Sequence, residues 1–372
     1  MLLNLDIKHP VDETNLYDCR INSLGVLLSY YQFPLSKNEI LLLSEGLTFL
    51  YCRIDLANIG AANIPVAVAS EEHPEDRVFA KLQIAYRTER IDDSAEGWAR
   101  FKELLGQNTP VLVKMDDRVL KLEQESAHGD MLRLRFLSMP LLIGYSDAED
   151  AVFVYWTNSQ SFQFPKDIPL SDFQQYRKTE ILPVSPEQSC IYIEDCTPAE
   201  RNICRKLIHE SVRHTAENML SGGTADSAWL QNVHGHDCLT GISAIEALEQ
   251  DLTALGRKHL LSHDQSERKK LIFFLLLIRS TLLNGSLSAF REEYGNALYE
   301  FGRAEQAEPL CRSAEQLLQS ASQWKELLAL ISRAAHAKHL LRIWFQICAQ
   351  LNKICKTEKK AFGEIIAYYE SL

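Results

Sequence analysis

One cysteine near the start of the chain has the surroundings of a nucleophile. It lies in Asn15-Leu16-Tyr17-Asp18-Cys19-Arg20-Ile21-Asn22-Ser23-Leu24. Leu16, Ile21, Leu24, Leu27, Leu28 and Tyr31 recur at helical spacing, so Cys19 falls at the beginning of an amphipathic helix. A thiol there feels the positive end of the helix dipole, which favours the thiolate, and the unpaired backbone N–H groups of a first turn can hold an oxyanion. That is the equipment of acyl transfer through a covalent intermediate, provided a later segment brings a His base and an Asn or Asp to orient it. The same pattern also fits a buried cysteine serving as a small apolar residue.

Other constellations carry less. Cys190, Cys196, Cys204 and His209 have the spacing C-x₅-C-x₇-C, without the paired knuckle of structural zinc sites. His234-Gly235-His236-Asp237-Cys238 brings three ligand types together, but no second cluster stands at ligand spacing, so a surface loop is expected and no metal. The sequence contains no G-x-x-x-x-G-K-[ST], G-x-G-x-x-G, G-x-S-x-G or H-E-x-x-H. Nucleotide-binding, serine-hydrolase and zincin chemistry therefore have no motif behind them, and no cofactor is expected.

The elements that must position Cys19 can be read from apolar period. After the first helix, Ser36 and Glu39 stand at capping-box spacing and open a second, which Gly46 ends. Pro65 to Ala69 reads as a short strand, and a helix carrying Trp98, Phe101, Leu104 and Leu105 stops at Gly106. The period then changes: Pro110 to Lys114 is a buried strand, and Leu132 to Phe136 alternates. Pro140 to Tyr145 and Ala151 to Trp156 form a hairpin about the turn at 146–150. From Pro198 onward the period is helical and no strand signal recurs. The expected organisation is an α+β domain over 1–185, a linker over 186–197 in which Ile191-Tyr192-Ile193 adds at most an edge strand, and an all-helical domain over 198–372.

Composition agrees with two folded units. Of 372 residues 46% are apolar and 24% charged, within the range of globular chains, and the length suits about two domains. With 39 basic and 50 acidic side chains the net charge is −11, a poor match to broad nucleic-acid binding. The charge is uneven: residues 1–199 hold 18 basic and 30 acidic groups (−12), residues 200–372 hold 21 and 20 (+1). The last forty residues carry seven basic side chains, Arg333 to Lys360, against three Glu, which offers an anionic partner its best landing or simply solvates a helix face. No basic segment followed by an apolar stretch opens the chain, and the longest apolar run, Leu271 to Ile278, is far below the ~20 residues that span a bilayer. Nine scattered cysteines make no small disulfide framework, so a cytoplasmic protein with reduced thiols is expected.

Several segments, taken in order, resemble one family. Asp18-Cys19, Asn22-Ser23-Leu24, Leu27-Leu28-Ser29-Tyr30-Tyr31, Leu35 to Ile40 and Ser44 to Tyr51 look like the N-terminal domain of butirosin biosynthesis protein H. Thr109 to Asp116, Ile143-Gly144-Tyr145-Ser146-Asp147 and Pro169-Leu170-Ser171-Asp172-Phe173…Arg177 continue the match, and Gly241 to Leu248, Phe290-Arg291 and Trp324 to Leu327 resemble the helical domain usual after it. The resemblance implies a papain-like fold and a cysteine-dependent acyltransferase of natural-product biosynthesis, moving an acyl group from a carrier-protein thioester to an amine. It makes Cys19 the nucleophile. The family's His before the nucleophile is replaced by Asp18, whose carboxylate raises the thiol pKa against the opposing pull of Arg20 and the helix dipole. The strand that should carry the base reads Phe136-Leu137-Ser138-Met139-Pro140, so His128, in the loop just before it, is the substitute base, and Asn158 is the orienting residue after the hairpin. The alternatives are a family member that binds a carrier protein or acyl ligand without catalysis, and a cysteine peptidase or amidase on the same scaffold.

Overall fold

The computed structural model describes residues 1–3, 19–56, 61–68, 74–116, 137–155, 166–179, 186–224, 238–259, 265–283, 288–334, 336–337 and 340–372. In chain order the elements begin with α1 (Cys19–Tyr30), α2 (Lys37–Leu43), β1 (Leu50–Leu56), β2 (Ala61–Val68), α3 (Pro74–Leu82), β3 (Ala85–Arg90) and α4 (Ala95–Gly106). Then come β4 (Val111–Val113), β5 (Met115–Asp116), β6 (Leu137–Ser138), β7 (Leu141–Ser146), β8 (Ala151–Tyr155), β9 (Lys166–Pro169), α5 (Leu170–Lys178) and β10 (Ser189–Asp195). The remainder is α6 (Arg201–Ser221), β11 (Gly223–Thr224), β12 (Cys238–Thr240), α7 (Gly241–His259), α8 (Gln265–Leu283), α9 (Arg291–Ala304), α10 (Glu308–Ala334) and α11 (Leu340–Glu370). These elements form two compact units, each discontinuous in sequence: Met1–Ile40 with His73–Leu207, and Leu41–Glu72 with Ile208–Leu372.

The first unit is built on a six-stranded antiparallel sheet of order β3-β10-β4-β7-β8-β9, with β5 and β6 forming a separate pair. β4 is apolar throughout and wholly buried, as an interior strand requires. β3 lies at the sheet edge, mostly exposed, and its Arg87, Glu89 and Arg90 discourage pairing with another chain. Arg177 of α5 ties the sheet to its helices. Its guanidinium, 1% exposed, donates to the carbonyls of Ile91 (2.5 Å) and Gln188 (2.8 Å) and to Asp93 Oδ1 (3.2 Å), and lies over the rings of Phe101 and Phe173. A buried cation with that many acceptors fixes the entry of β10 beside β3.

The start of α4 is held by a cap. Ser94 Oγ accepts from the Gly97 N–H at 3.1 Å, and Asp92 Oδ1 accepts from the Ser94 N–H at 3.0 Å. A Cβ on Gly97 would stand 2.0 Å from the Asp92 carbonyl oxygen. Ala is favoured over Gly inside a helix by about 1 kcal/mol, but here the capping loop must move to admit it. Gly97→Ala is therefore expected to lower stability by about 1–2 kcal/mol, the loss of the cap outweighing the propensity gain. Thermal unfolding of the variant measures the sign, and a raised midpoint would refute the argument.

In the second unit β11-β12-β1-β2 form an antiparallel sheet, and α7 to α11 supply the helical bulk. Its core holds Trp324 and Trp344, with Phe49 stacked on Trp324 at 5.2 Å. The buried charges Arg291 and Glu358 meet in a two-point pair, Nε to Oε1 at 2.9 Å and Nη2 to Oε2 at 3.0 Å, both side chains 0% exposed. Arg291 Nη1 also donates to the carbonyls of Thr48 and Ala289, while Glu358 Oε1 accepts from Ser320 Oγ and Trp324 Nε1. The pair is thus supplied with hydrogen bonds from α10 and from the segments just before β1 and α9, as burial of two charges demands.

Much of the expected course of the chain is found. The Ser36–Glu39 capping box forms (Ser36 N–H to Glu39 Oε2 2.8 Å, Glu39 N–H to Ser36 Oγ 3.2 Å), α4 ends at Gly106, and β7 and β8 make the hairpin. Three features differ. β10 lies inside the segment read as a linker, 186–197, and is an interior strand, because the polar β3 covers its far edge. Two short strands follow residue 198: β12 pairs with β1, which the periodicity did not mark, and β11 pairs with β12. The units consequently divide the chain at 40/41, 72/73 and 207/208 rather than at one linear boundary, since β1, which carries β2 at its other edge, finds a hydrogen-bond partner in the later half. The strand expected over Leu132–Phe136 lies outside the described residues.

Candidate active site

α1 places Cys19 as its first residue. The helix is fastened along its length. Ile21, Leu24, Leu27 and Leu28 are buried, and Tyr30 Oη donates to the Asn108 carbonyl at 2.7 Å. Gln32, at a φ of 64°, then ends it, with the Phe33 N–H returning to the Leu28 carbonyl at 3.0 Å. A Cβ on Gly25 would come 3.1 Å from Lys37 Cγ, so the turn after Cys19 passes close to the start of α2. The positions one turn beyond Cys19 on the same face are polar and buried: Asn22 is 4% and Ser23 1% exposed. A core helix built only for packing would place apolar groups there.

The other eight cysteines separate by environment. Cys238 is disulfide-bonded, which corrects the expectation of reduced thiols throughout. It stands in ladder register opposite Cys52 of β1. Six cysteines are free: Cys190, Cys196, Cys204, Cys311, Cys348 and Cys355. Burial pushes every one of these six thiols up, Cys190 and Cys355 to about 12, which suppresses the thiolate needed for attack. Cys190, weighed above as a metal ligand, is a buried strand residue whose thiol faces the Glu89 carbonyl at 3.3 Å. His209, weighed with it, instead hydrogen-bonds Tyr369 Oη at 3.0 Å and Glu305 Oε2 at 3.3 Å. Among the described residues Cys19 is the one cysteine that stands as the first residue of a helix.

The segment read as the base-carrying strand is β6. Its Ser138 pairs with Met115 and its Leu137 with Asp116, and the following Met139 is 3% exposed. No imidazole stands on that strand. Across the pair lies Asp116, a wholly buried carboxylate that sequence reasoning did not single out. Its place directly after the buried β4 was the available signal, since an acid continuing an apolar strand needs a partner inside the protein. Tyr155, the last residue of β8, is likewise buried, and burial pushes its phenol up to about 12. The substitute base His128, the orienting Asn158 and Asp18 all lie outside the described residues, so of the three predicted catalytic groups the structure locates the backbone of Cys19.

Among the described residues no helix is long and apolar enough to cross a membrane. A protein-family model described as butirosin biosynthesis protein H, N-terminal, matches residues 18–134, beginning one residue before Cys19. No curated protein matches the chain.

Proposed function

We propose, on the match of residues 18–134 to the butirosin biosynthesis protein H N-terminal family, that this chain is a cysteine-dependent acyltransferase of natural-product biosynthesis on a papain-like first unit. The observation that carries the reading is the coincidence of the family match with a helix that begins at Cys19. The Cys19 thiolate attacks the carbonyl of a carrier-protein thioester, forming a new C–S bond. The tetrahedral oxyanion then collapses and expels the carrier's thiolate, which takes up a proton from the base. The first-turn N–H groups of α1 supply donors for that oxyanion. An amine next attacks the acyl-Cys19 thioester, surrenders a proton to the base and releases Cys19 as thiolate. Thioester is exchanged for amide, so the sequence runs downhill with no oxidant, reductant or cofactor. His128 is the proposed base and Asn158 its orienting partner.

Ser138 and Met139 at the strand position of the family's base favour a second reading, in which the unit binds a carrier protein or acyl ligand without turnover. One experiment separates the two. Incubation with an acyl N-acetylcysteamine thioester, acid quench and peptide mapping should show the acyl mass on the Cys19 peptide, and His128→Ala should slow its appearance at least about a hundredfold, the lower end for a removed acid–base group. Acylation at another cysteine, or none, would leave the binding reading in place. Labelling at Cys19 with an unaltered rate in His128→Ala would retain the nucleophile and reject the base.

A further inference from the structure

The exposed face of α11 carries a pattern that acyl transfer at Cys19 does not use. Arg342, Phe345, Ala349, Lys353, Lys356 and Lys360 are all exposed and follow one another at intervals of three and four residues. They form one continuous stripe about 27 Å long at ~1.5 Å per residue. At its beginning Phe345 is 60% exposed and Leu341, one turn before it, 41%. From there on the stripe is cationic. Arg342, Lys353 and Lys356 make no ion pair among the described residues, and Lys360 has only a long contact of 3.8 Å with Glu364. The one carboxylate between Leu340 and Gly363, Glu358, is wholly buried and held by Arg291.

Three cations without an ion pair among the described residues and a fourth held only at 3.8 Å, on a chain whose net charge is −11, are complementary to a partner of opposite sign. The apolar end gives that partner something to bury, and the linear shape matches a helix laid alongside. A membrane fits poorly, because the apolar face of α11 (Trp344, Ile347, Leu351, Ile354, Ile365) is already in the core and leaves nothing to insert beneath the lysines. A nucleic acid fits poorly too, since one aromatic at the end of a single stripe gives no stacking platform and the remaining charge repels the backbone. We propose that this stripe docks an acidic helix of a protein partner, with Phe345 as the apolar anchor. If the acyl-transfer reading holds, on which this last step rests, that partner is the acyl-carrying protein itself.

The test uses the full chain and, as probe, a bacterial acyl carrier protein of fatty-acid synthesis, which presents an acidic helix. Binding followed by fluorescence anisotropy should weaken about tenfold or more in Lys353→Glu/Lys356→Glu, and likewise in Phe345→Ala, and should fade as salt rises toward ~0.5 M. Cys19→Ala should bind as the natural chain does, so a failure of the nucleophile assignment leaves this arm intact. If transfer is measurable, the charge-reversed chain should show a raised KM for the carrier-bound donor with kcat unchanged, and no change with the N-acetylcysteamine donor. Unaltered circular dichroism and melting would confirm that the exposed substitutions leave the fold in place. Carrier binding that is absent at low salt, or indifferent to both substitutions, overturns the proposal. So does tighter, stripe-dependent binding to vesicles of phosphatidylserine and phosphatidylcholine, or to a 20-base-pair duplex.

Discussion

On the proposed mechanism Cys19→Ala is expected to lower acyl transfer from every thioester donor by roughly four to six orders of magnitude, to the uncatalysed background, because removing a covalent nucleophile would leave only binding and oxyanion donors. Among the described residues the six free thiols are poor substitutes. Cys190 and Cys355 are pushed to about 12 by burial, Cys196, Cys204, Cys311 and Cys348 are raised by the same cause, and Cys238 is committed to a disulfide. Cys196→Ala is the matched control and should retain full rate. The measurement is product formation by mass spectrometry at saturating donor and amine. A Cys19→Ala rate within tenfold of the natural one removes the nucleophile assignment, whatever the family resemblance suggests.

The second large effect is on stability. Glu358→Ala leaves the Arg291 guanidinium fully buried without a counter-charge and takes an acceptor from Ser320 Oγ and Trp324 Nε1 together. The expected loss is about 3–5 kcal/mol, the range for breaking a buried pair by deleting one partner. Replacing both, as Arg291→Met/Glu358→Leu, should cost much less, since no charge is then stranded. Urea unfolding followed by tryptophan fluorescence includes the second unit, where Trp324 and Trp344 are buried, beside the signal of Trp98 in the first. If the single variant loses less than the double, the pair contributes nothing and the argument fails.

The sequence was most readable where a local signal decides the structure. The capping box at Ser36 and Glu39, the Gly106 stop and the β7–β8 hairpin each depend on residues within a few positions of one another. What escaped depended on distant partners. β3 reads Ala-Tyr-Arg-Thr-Glu-Arg, with the composition of a solvated loop, and is a strand because β10 lies beside it a hundred residues later. β12 has three residues, too few for any period, and is held by register with Leu50, Tyr51 and Cys52. At the candidate site the position of Cys19 on a helix start followed from periodicity, whereas buried Asp116 did not, because burial of a single acid is a property of the fold rather than of its neighbours in sequence.

The pairing of β1 with β12 also governs how the protein is made. As the chain leaves the ribosome, β1 and β2 emerge early, but the strand that completes their sheet is 170 residues beyond Val68. At ~5–20 residues per second that is a wait of roughly ten to thirty seconds, during which the apolar hairpin has no native partner. The first unit waits as well, for β10 to close the gap between β3 and β4. The first unit is complete in sequence at Leu207, whereas the second, whose segment 41–72 is made before most of the first, cannot close its sheet until Cys238–Thr240 has been synthesised. Expression of the family segment 18–134 alone would yield β1 and β2 without β12, and β3 and β4 without β10, a fragment destined for chaperones or aggregates rather than an autonomous catalytic domain.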